Sequence, residues 1–444
     1  MFLMAPSTTW RLRSARLKAK LEGANWRVVA AFWLFGLINN IFYVLILTAA
    51  LDLVGPSIPK ATVLLASIVP GLATKIVTPY IIHLIPHSLR TIIFAALSTC
   101  GMLAVALSPN TTDARSISSK IAGIVLANIS SGAGEVSWLS LTHYYGPFSL
   151  AAWGSGTGGA GLIGAGAYTL ATTIVGFSVH ATLMSSSLLS IVLLASYFLL
   201  LPLGPLKTAS RGRANNDSVD CQDITAEGTV ESAGLLDQPG PRTVSPVYRN
   251  KRSFIMKALI DLRAKLTRAR SLVMPYMLPL FLVYLAEYTI NQGVAPTLLF
   301  PLGESPFKHF RAFYPTYGTI YQLGVFISRS SLPFVRIRSL YLPSFLQVLN
   351  LFVLAMHAMW PFIPNVWFVF AIILWEGLLG GLVYVSTFAA IREEVPREHR
   401  EFSLGATTVS DSGGIFVAGL LGAGLETALC NWQVSHGRDW CKRL

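Results

Sequence analysis

Charge is scarce in this sequence. Asp, Glu, Lys and Arg make up 12% of the 444 residues, where an ordinary globular protein carries about 25%. Hydrophobic residues account for 53% and mean hydropathy is +0.57, so too little polar surface is left to keep a folded chain in water. A soluble enzyme is excluded on that ground. Cysteine is sparse as well: Cys100, Cys221, Cys430 and Cys441 form no CxxC pair and show no disulfide-like spacing, so neither a metal site nor a disulfide framework is expected. HExxH, clustered His boxes, a Walker loop and a GxSxG elbow are all missing. Accordingly no catalytic residues, no metal and no cofactor are expected. Two lookalikes do not change this. Gly154, Gly156 and Gly159 have dinucleotide-fingerprint spacing but follow no strand, and they read as a packing face. His83 and His87 straddle Pro86, which spoils a shared ligand geometry.

Long apolar runs are plentiful. A hydrocarbon core of about 30 Å needs about 20 apolar residues per helix. Eleven segments qualify, near 26–51, 61–82, 91–108, 119–140, 150–176, 179–201, 273–296, 313–333, 340–359, 364–388 and 403–427. The expectation is an all-α polytopic membrane protein of about eleven transmembrane helices. A basic tail (1–25) leads into a six-helix bundle (26–203), a cytosolic loop (204–272), a five-helix bundle (273–430) and a short tail (431–444). Glycine recurs every second or third residue from Trp153 to Ala167. Gly costs a helix about 1 kcal/mol against Ala, so such a run belongs where helix backbones approach closely in lipid. Within the loop, Arg211–Pro246 is too poor in large apolar residues to fold and is expected to be disordered. Lys251–Arg270 spaces Ile255, Leu259, Leu262 and Leu266 at helical intervals among Lys and Arg, which reads either as an amphipathic helix on the membrane surface or as a solvated linker.

Positive charge orients the chain. The N-terminal tail, with Arg11, Arg13, Arg16, Lys18 and Lys20, has the composition of a transit peptide, but the apolar segment that follows directly makes it a cytosolic anchor. With that end in the cytosol, 25 of the 34 Lys and Arg lie on the cytosolic side and 8 on the other. This bias accounts for the net charge of +13 without nucleic acid as a partner. The sequon at Asn110 then falls in the lumen, where glycosylation happens, and the C-terminus is lumenal as well. Cys441-Lys-Arg-Leu444 matches a prenylation box only superficially, since charged residues replace its aliphatic pair. In the cytosolic loop, Glu231 with Leu235 and Leu236 has the form of an acidic dileucine signal read by sorting adaptors.

Ionisable residues at membrane depth cost several kcal/mol each, and so are functional candidates. Lys75 and Glu135 fall in the first bundle; Glu287, Glu376 and Asp411 fall in the second. Arg329 sits near a helix end, where its stem can snorkel to the interface. Tyr284, Glu287 and Asn291 form one polar stripe, and Asn39, Asn40 and Tyr43 a comparable patch in the first span. Such groups either satisfy one another across helices or face each other across a central cavity for substrate and protons.

Several stretches carry a resemblance: Gly36-Leu-Ile-Asn39-Asn40 with Tyr43; Ser130-Ser-Gly-Ala-Gly134-Glu135-Val with Leu139-Ser-Leu-Thr142; Trp153 to Gly161; Glu287-Tyr-Thr-Ile-Asn291-Gln-Gly293; and Glu398-His-Arg-Glu-Phe402 leading to Ser410-Asp411. In this order they resemble the battenin family, the Batten disease protein family, and a fungal vacuolar member of it. The resemblance implies a major-facilitator-like fold in a vacuolar or lysosomal membrane, with roles in vacuolar pH homeostasis and in the handling of basic amino acids or glycerophosphodiesters. The family's C-terminal lipidation box has no convincing match in this chain. Two functions are therefore in view: a secondary transporter working by alternating access between the bundles, or a non-transporting regulator of trafficking or proton pumping that acts through the cytosolic loop.

Overall fold

In the computed structural model, which describes residues 24–49, 60–109, 114–208 and 251–443, every apolar run becomes helix. The long helices are α1 (Trp26–Thr48), α2 (Lys60–Ile81), α3 (His87–Leu107), α4 (Ala114–Tyr145), α5 (Pro147–Thr169) and α6 (Val179–Leu200). After the central interval come α7 (Leu278–Thr289), α8 (Phe313–Ser330), α9 (Tyr341–Met359), α10 (Val366–Glu394) and α11 (Arg397–Ser435). No strand occurs among the described residues. Helix starts follow local chemistry: the Asn25, Ser178 and Asn365 side chains accept from the backbone N–H groups of Arg27, Ala181 and Trp367. Between α4 and α5 the chain turns on Gly146, whose φ of 87° disfavours a side chain, and Pro147 then starts α5.

Eight stretches are long and apolar enough to cross a membrane by length and composition. Three helices, α4, α5 and α8, are not among them. They are the ones richest in Gly, Ser, Thr and Tyr, and all three present residues to the centre of the molecule. Their low hydropathy therefore reflects what they face: neighbouring helices and a cavity instead of lipid.

The chain divides into one compact unit, residues up to Leu201 together with Ala269 onward, and a second, Pro202–Arg268. In the first unit α1 packs on α5, α3 on α4, α7 on α11 and α8 on α10, while the first six helices meet the last five along α2 with α11 and α5 with α8. Glycine makes the closest approaches possible. A Cβ on Gly36 would lie 2.5 Å from the Trp153 carbonyl oxygen, and one on Gly156 would fall on that of Trp33, so α1 and α5 touch backbone to backbone. Lys251–Leu272 is helical, as its spacing predicts, and a π turn, Val273–Met277, precedes α7 in the chain. The sequon at Asn110, the dileucine signal and the Arg211–Pro246 segment lie outside the described residues.

The cysteine expectation is corrected. Cys430 and Cys441 form a disulfide, their Cα atoms 5.8 Å apart, between the last turns of α11 and the 3₁₀ turn Trp440–Arg443. The chain reverses at Gly437, φ 82°, which folds the tail back along the helix it has just left. A separation of eleven residues does not signal that contact until the reversal is known.

Candidate functional site

Lys75 lies in α2, 5% exposed, between two carboxylates. Its Nζ is 2.6 Å from Glu135 Oε2 on α4 and donates to both Asp411 oxygens on α11 at 3.1 and 3.3 Å. A lone ammonium at this depth would be expensive to bury, whereas a paired and hydrogen-bonded one is tolerated. The cluster extends further: Tyr384 on α10 donates to Glu135 Oε1 at 2.9 Å, and Trp153 Nε1 on α5 donates to Tyr384 Oη at 3.2 Å. Five helices from both halves of the chain thus converge on one ion cluster. Gly405 and Gly132 let α11 and α2 come close to α4.

Arg329 does not snorkel. It points inward, with Nη1 donating to Thr157 Oγ1 on α5 and Nη2 to Tyr284 Oη on α7, both at 2.8 Å, and the guanidinium carbon 4.2 Å from the centroid of the Tyr384 ring. Room for its stem comes from two glycines. Cβ atoms at Gly158 and Gly381 would lie 3.3 and 3.1 Å from Arg329 side-chain carbons. Its polar partners are neutral hydroxyls, so among the described residues Arg329 brings to the centre a cation held in no ion pair.

Both groups border a central cavity, about 850 Å³ of empty space that includes its opening. Asn40 and Tyr43 of the first-span patch reach it, as do Tyr284, Tyr288, Tyr321 and Gln322 from the second half. The remaining candidates take other positions. Asn39 turns to α4, where Nδ2 donates to the Ser131 carbonyl at 3.1 Å and the Asn39 carbonyl accepts from Ser131 Oγ at 2.9 Å. Glu287, Asn291 and Glu376 are a second cluster behind the cavity wall. Tyr321, which lines the cavity, donates to Glu287 Oε1, and Asn291 Nδ2 donates to Glu376 Oε1 at 3.2 Å and to the Glu287 carbonyl at 3.0 Å. The turn carrying Asn291, Ile290–Val294, is a π turn, a distortion frequent at functional sites. Glu287 Oε2 and Glu376 Oε2 are buried without a hydrogen-bond partner.

The lining residues lie from the Lys75 layer toward the end where α1 finishes and α2 begins. At the other end the halves are bonded together. Tyr144 donates to Glu401 Oε2 at 2.8 Å, Ser140 Oγ to the Glu401 carbonyl at 3.1 Å, and Arg392 Nη1 to the Thr142 carbonyl at 2.8 Å. His143, past the apolar stretch 119–140, is half-buried there, and burial pushes its imidazole below the usual histidine range, with Arg392, Arg397 and Arg400 adding to the effect against Glu401. Sequence reading did not single out Tyr321, Tyr384 or this closure. Tyrosines inside apolar helices look like packing residues until their hydroxyls are seen to meet carboxylates.

The sequence model of the family described as CLN3 protein matches residues 30–432. Protein btn1 of Aspergillus fumigatus is 57% identical over 448 residues, covering 99% of this chain and 96% of the relative. Protein btn-1 of Neurospora crassa is 55% identical with the same coverage, and protein BTN1 of Yarrowia lipolytica is 48% identical over 93% of this chain and 97% of its own. Among solved structures, the major facilitator superfamily proton:xylose symporter XylE aligns with a TM-score of 0.57 at 12% identity, covering 94% of this chain and 91% of its own. The human organic anion transporter MFSD10 (TETRAN) aligns at 0.55 and 13%, covering 94% and 95%. At these identities the two structures establish the architecture alone: the helices of this chain take a major-facilitator-like arrangement.

Proposed function

For a chain that belongs to the CLN3 (battenin) family and folds as a major-facilitator-like membrane protein, we propose secondary transport of a small solute by alternating access, in a vacuolar, lysosome-like membrane with the N-terminus cytosolic. The observation that carries this reading is the ion cluster itself. Lys75 of the first half is bonded to Asp411 of the second beside a polar cavity, and an intramembrane charge cluster between two halves of a bundle marks a transport pathway. In the proposed orientation the bonded end at Tyr144, Arg392 and Glu401 is cytosolic, so the cavity belongs to a lumen-facing state.

Of the two solute classes the family suggests, the cavity favours one with an anionic group. Lys75 is held by two carboxylates, whereas Arg329 meets the cavity with hydroxyl partners only. A planar guanidinium suits bidentate binding of a phosphodiester or carboxylate. A cationic amino acid would need Glu135 or Asp411 released from Lys75. Vacuolar pH homeostasis follows if transport moves protons.

The test is uptake into proteoliposomes of purified protein with and without an acid-inside gradient, offering glycerophosphodiesters, arginine and lysine in parallel. Uptake of glycerophosphodiesters that is lost in Arg329→Gln and reduced in Asp411→Asn is the expected result. Arginine uptake that survives Arg329→Gln would reverse the choice of solute. Absence of all uptake from folded protein would leave the regulatory function exerted through the cytosolic loop.

A further inference from the structure

Beside the ion cluster the second half holds two acids with no counter-ion. Glu287 is 1% exposed and Glu376 0%, and neither makes an ion pair among the described residues. The groups facing them can be named element by element. Tyr284 and Tyr288 stand on the same helix as Glu287. From α8 come Tyr321, bonded to Glu287, and Arg329, whose guanidinium is bonded to Tyr284 and Thr157 instead. From α10 comes Glu376 itself, while Asp411 on α11 acts on the neighbouring Tyr288 and is held by Lys75. Among the described residues no cation pairs with either carboxyl, and the charge of Arg329 reaches Glu287 without a bond to it. Two carboxylates within each other's field in a water-poor interior cannot both stay ionised.

The hydrogen bonds agree with a shared proton. Tyr321 and Asn291 each satisfy one oxygen, Oε1 of Glu287 and Oε1 of Glu376, and leave Oε2 of both without a partner. Two free oxygens are far fewer than the six or so that a hard metal cation takes, but they suit a proton. Gly380 completes the fit: a Cβ there would collide with Glu287 Oε2, so the carboxyl rests directly on the α10 backbone. The Tyr321 phenol, standing between Glu287 and the cavity, connects the pair to the solvated pathway.

We propose that Glu287 and Glu376 together hold one exchangeable proton and form the proton-coupling site of this protein, behind Tyr321 and apart from the Lys75 cluster. Loading takes one proton from water in the cavity onto one carboxylate oxygen, forming a carboxyl O–H; on unloading that O–H breaks and its proton goes to the Tyr321 oxygen while the phenol gives its own proton to water in the cavity, so the phenol O–H is broken and re-formed and ends unchanged. The coupling role rests on the transport reading above, while the existence of the proton site does not.

The test is infrared difference spectroscopy of the full chain in lipid, comparing acid and alkaline pH without substrate. A titrating carboxyl C=O band is expected in the wild type and in the surface variant Glu398→Gln, and is expected to be lost in Glu287→Gln and in Glu376→Gln. Should either variant fail to fold, Tyr321→Phe supplies the reading, because removing the phenol donor should shift the band. A wild-type spectrum with no such band, a band indifferent to all three changes, or one displaced by sodium at constant pH would overturn the site. Acid-gradient-driven accumulation in proteoliposomes should be lost in Glu376→Gln, and its persistence would overturn the coupling role. A wild-type protein that shows the band yet transports nothing would refute transport and leave the proton site standing.

Discussion

The two buried acid clusters meet the same physical demand in opposite ways. At the seam between the halves, Glu135 and Asp411 are compensated by Lys75 and stay bound to it by direct contacts. Inside the second half, Glu287 and Glu376 are bonded to a phenol and an amide and have no ion-pair partner among the described residues. A charge balanced by an ion pair is a structural tie that must be broken for the halves to separate. A carboxyl balanced by a proton changes state without moving the helices. On the proposed reading the seam serves conformational change and the second-half pair proton binding, and each role can be attacked by substitution.

The largest effect should come from Lys75. Lys75→Met leaves two carboxylates buried without a cation, and breaking a buried pair from one side costs about 3–5 kcal/mol. A large loss of thermal stability in detergent is expected, partly restored by adding Asp411→Asn. Glu376→Gln should behave otherwise, staying within about 1 kcal/mol of wild type, because an amide can replace a neutral acid of the same shape. If Lys75→Met melted like wild type, or if Glu376→Gln were the more damaging change, the contrast would fail.

Gly380→Ala comes next. The added methyl must displace the Glu287 carboxyl from the α10 backbone, a crowding change worth about 1–3 kcal/mol. Comparison with Gly166→Ala, where nothing lies within 4 Å of the added atom, separates crowding from a general glycine effect. Equal stability of the two variants would show that Glu287 is free to move away.

The closed end adds a pH-dependent tie. His143 carries a folded-state pKa below its ordinary 6.5, with burial as the main cause. Folding therefore favours the neutral ring. That stability is fully present above pH 6.5 and is lost as pH falls from 6.5 toward the depressed value. The melting temperature should decline over that window in the wild type and decline less in His143→Gln. An unchanged slope in the variant would remove His143 from the closure.

Much of this was legible in the sequence, at the level of depth more than of direction. Apolar runs located α1 to α11 among the described residues, although α4, α5 and α8 carry more Gly, Ser, Thr and Tyr than the rest and fall outside the eight stretches apolar enough to cross a membrane by composition. Lys75, Glu135 and Asp411 were recognisable as membrane charges, yet the bond between Lys75 and Asp411 joins residues 336 positions apart, and no local pattern encodes it. Nearness of Arg329 to a helix end indicates depth but not facing. Its inward turn depends on Gly158 and Gly381 from two other helices. Cys441 was hidden by the reversal at Gly437, which only the folded chain reveals.

The finest probe of the comparison is Tyr384, whose side chain touches both the ion cluster and Arg329. Its hydroxyl donates to Glu135 and accepts from Trp153, and its ring lies beneath the Arg329 guanidinium. Tyr384→Phe keeps the ring and removes only the hydroxyl. Hydrogen bonds between membrane helices average about 0.6 kcal/mol, so a small loss of stability is expected, with little change in the infrared band of the Glu287 and Glu376 pair. Uptake should fall further than stability does, because Glu135 loses one of the two groups that fix its orientation toward Lys75. A variant in which the infrared band disappears would mean that the two clusters share their proton through Tyr384, and the division between a conformational seam and a separate proton site would have to be abandoned.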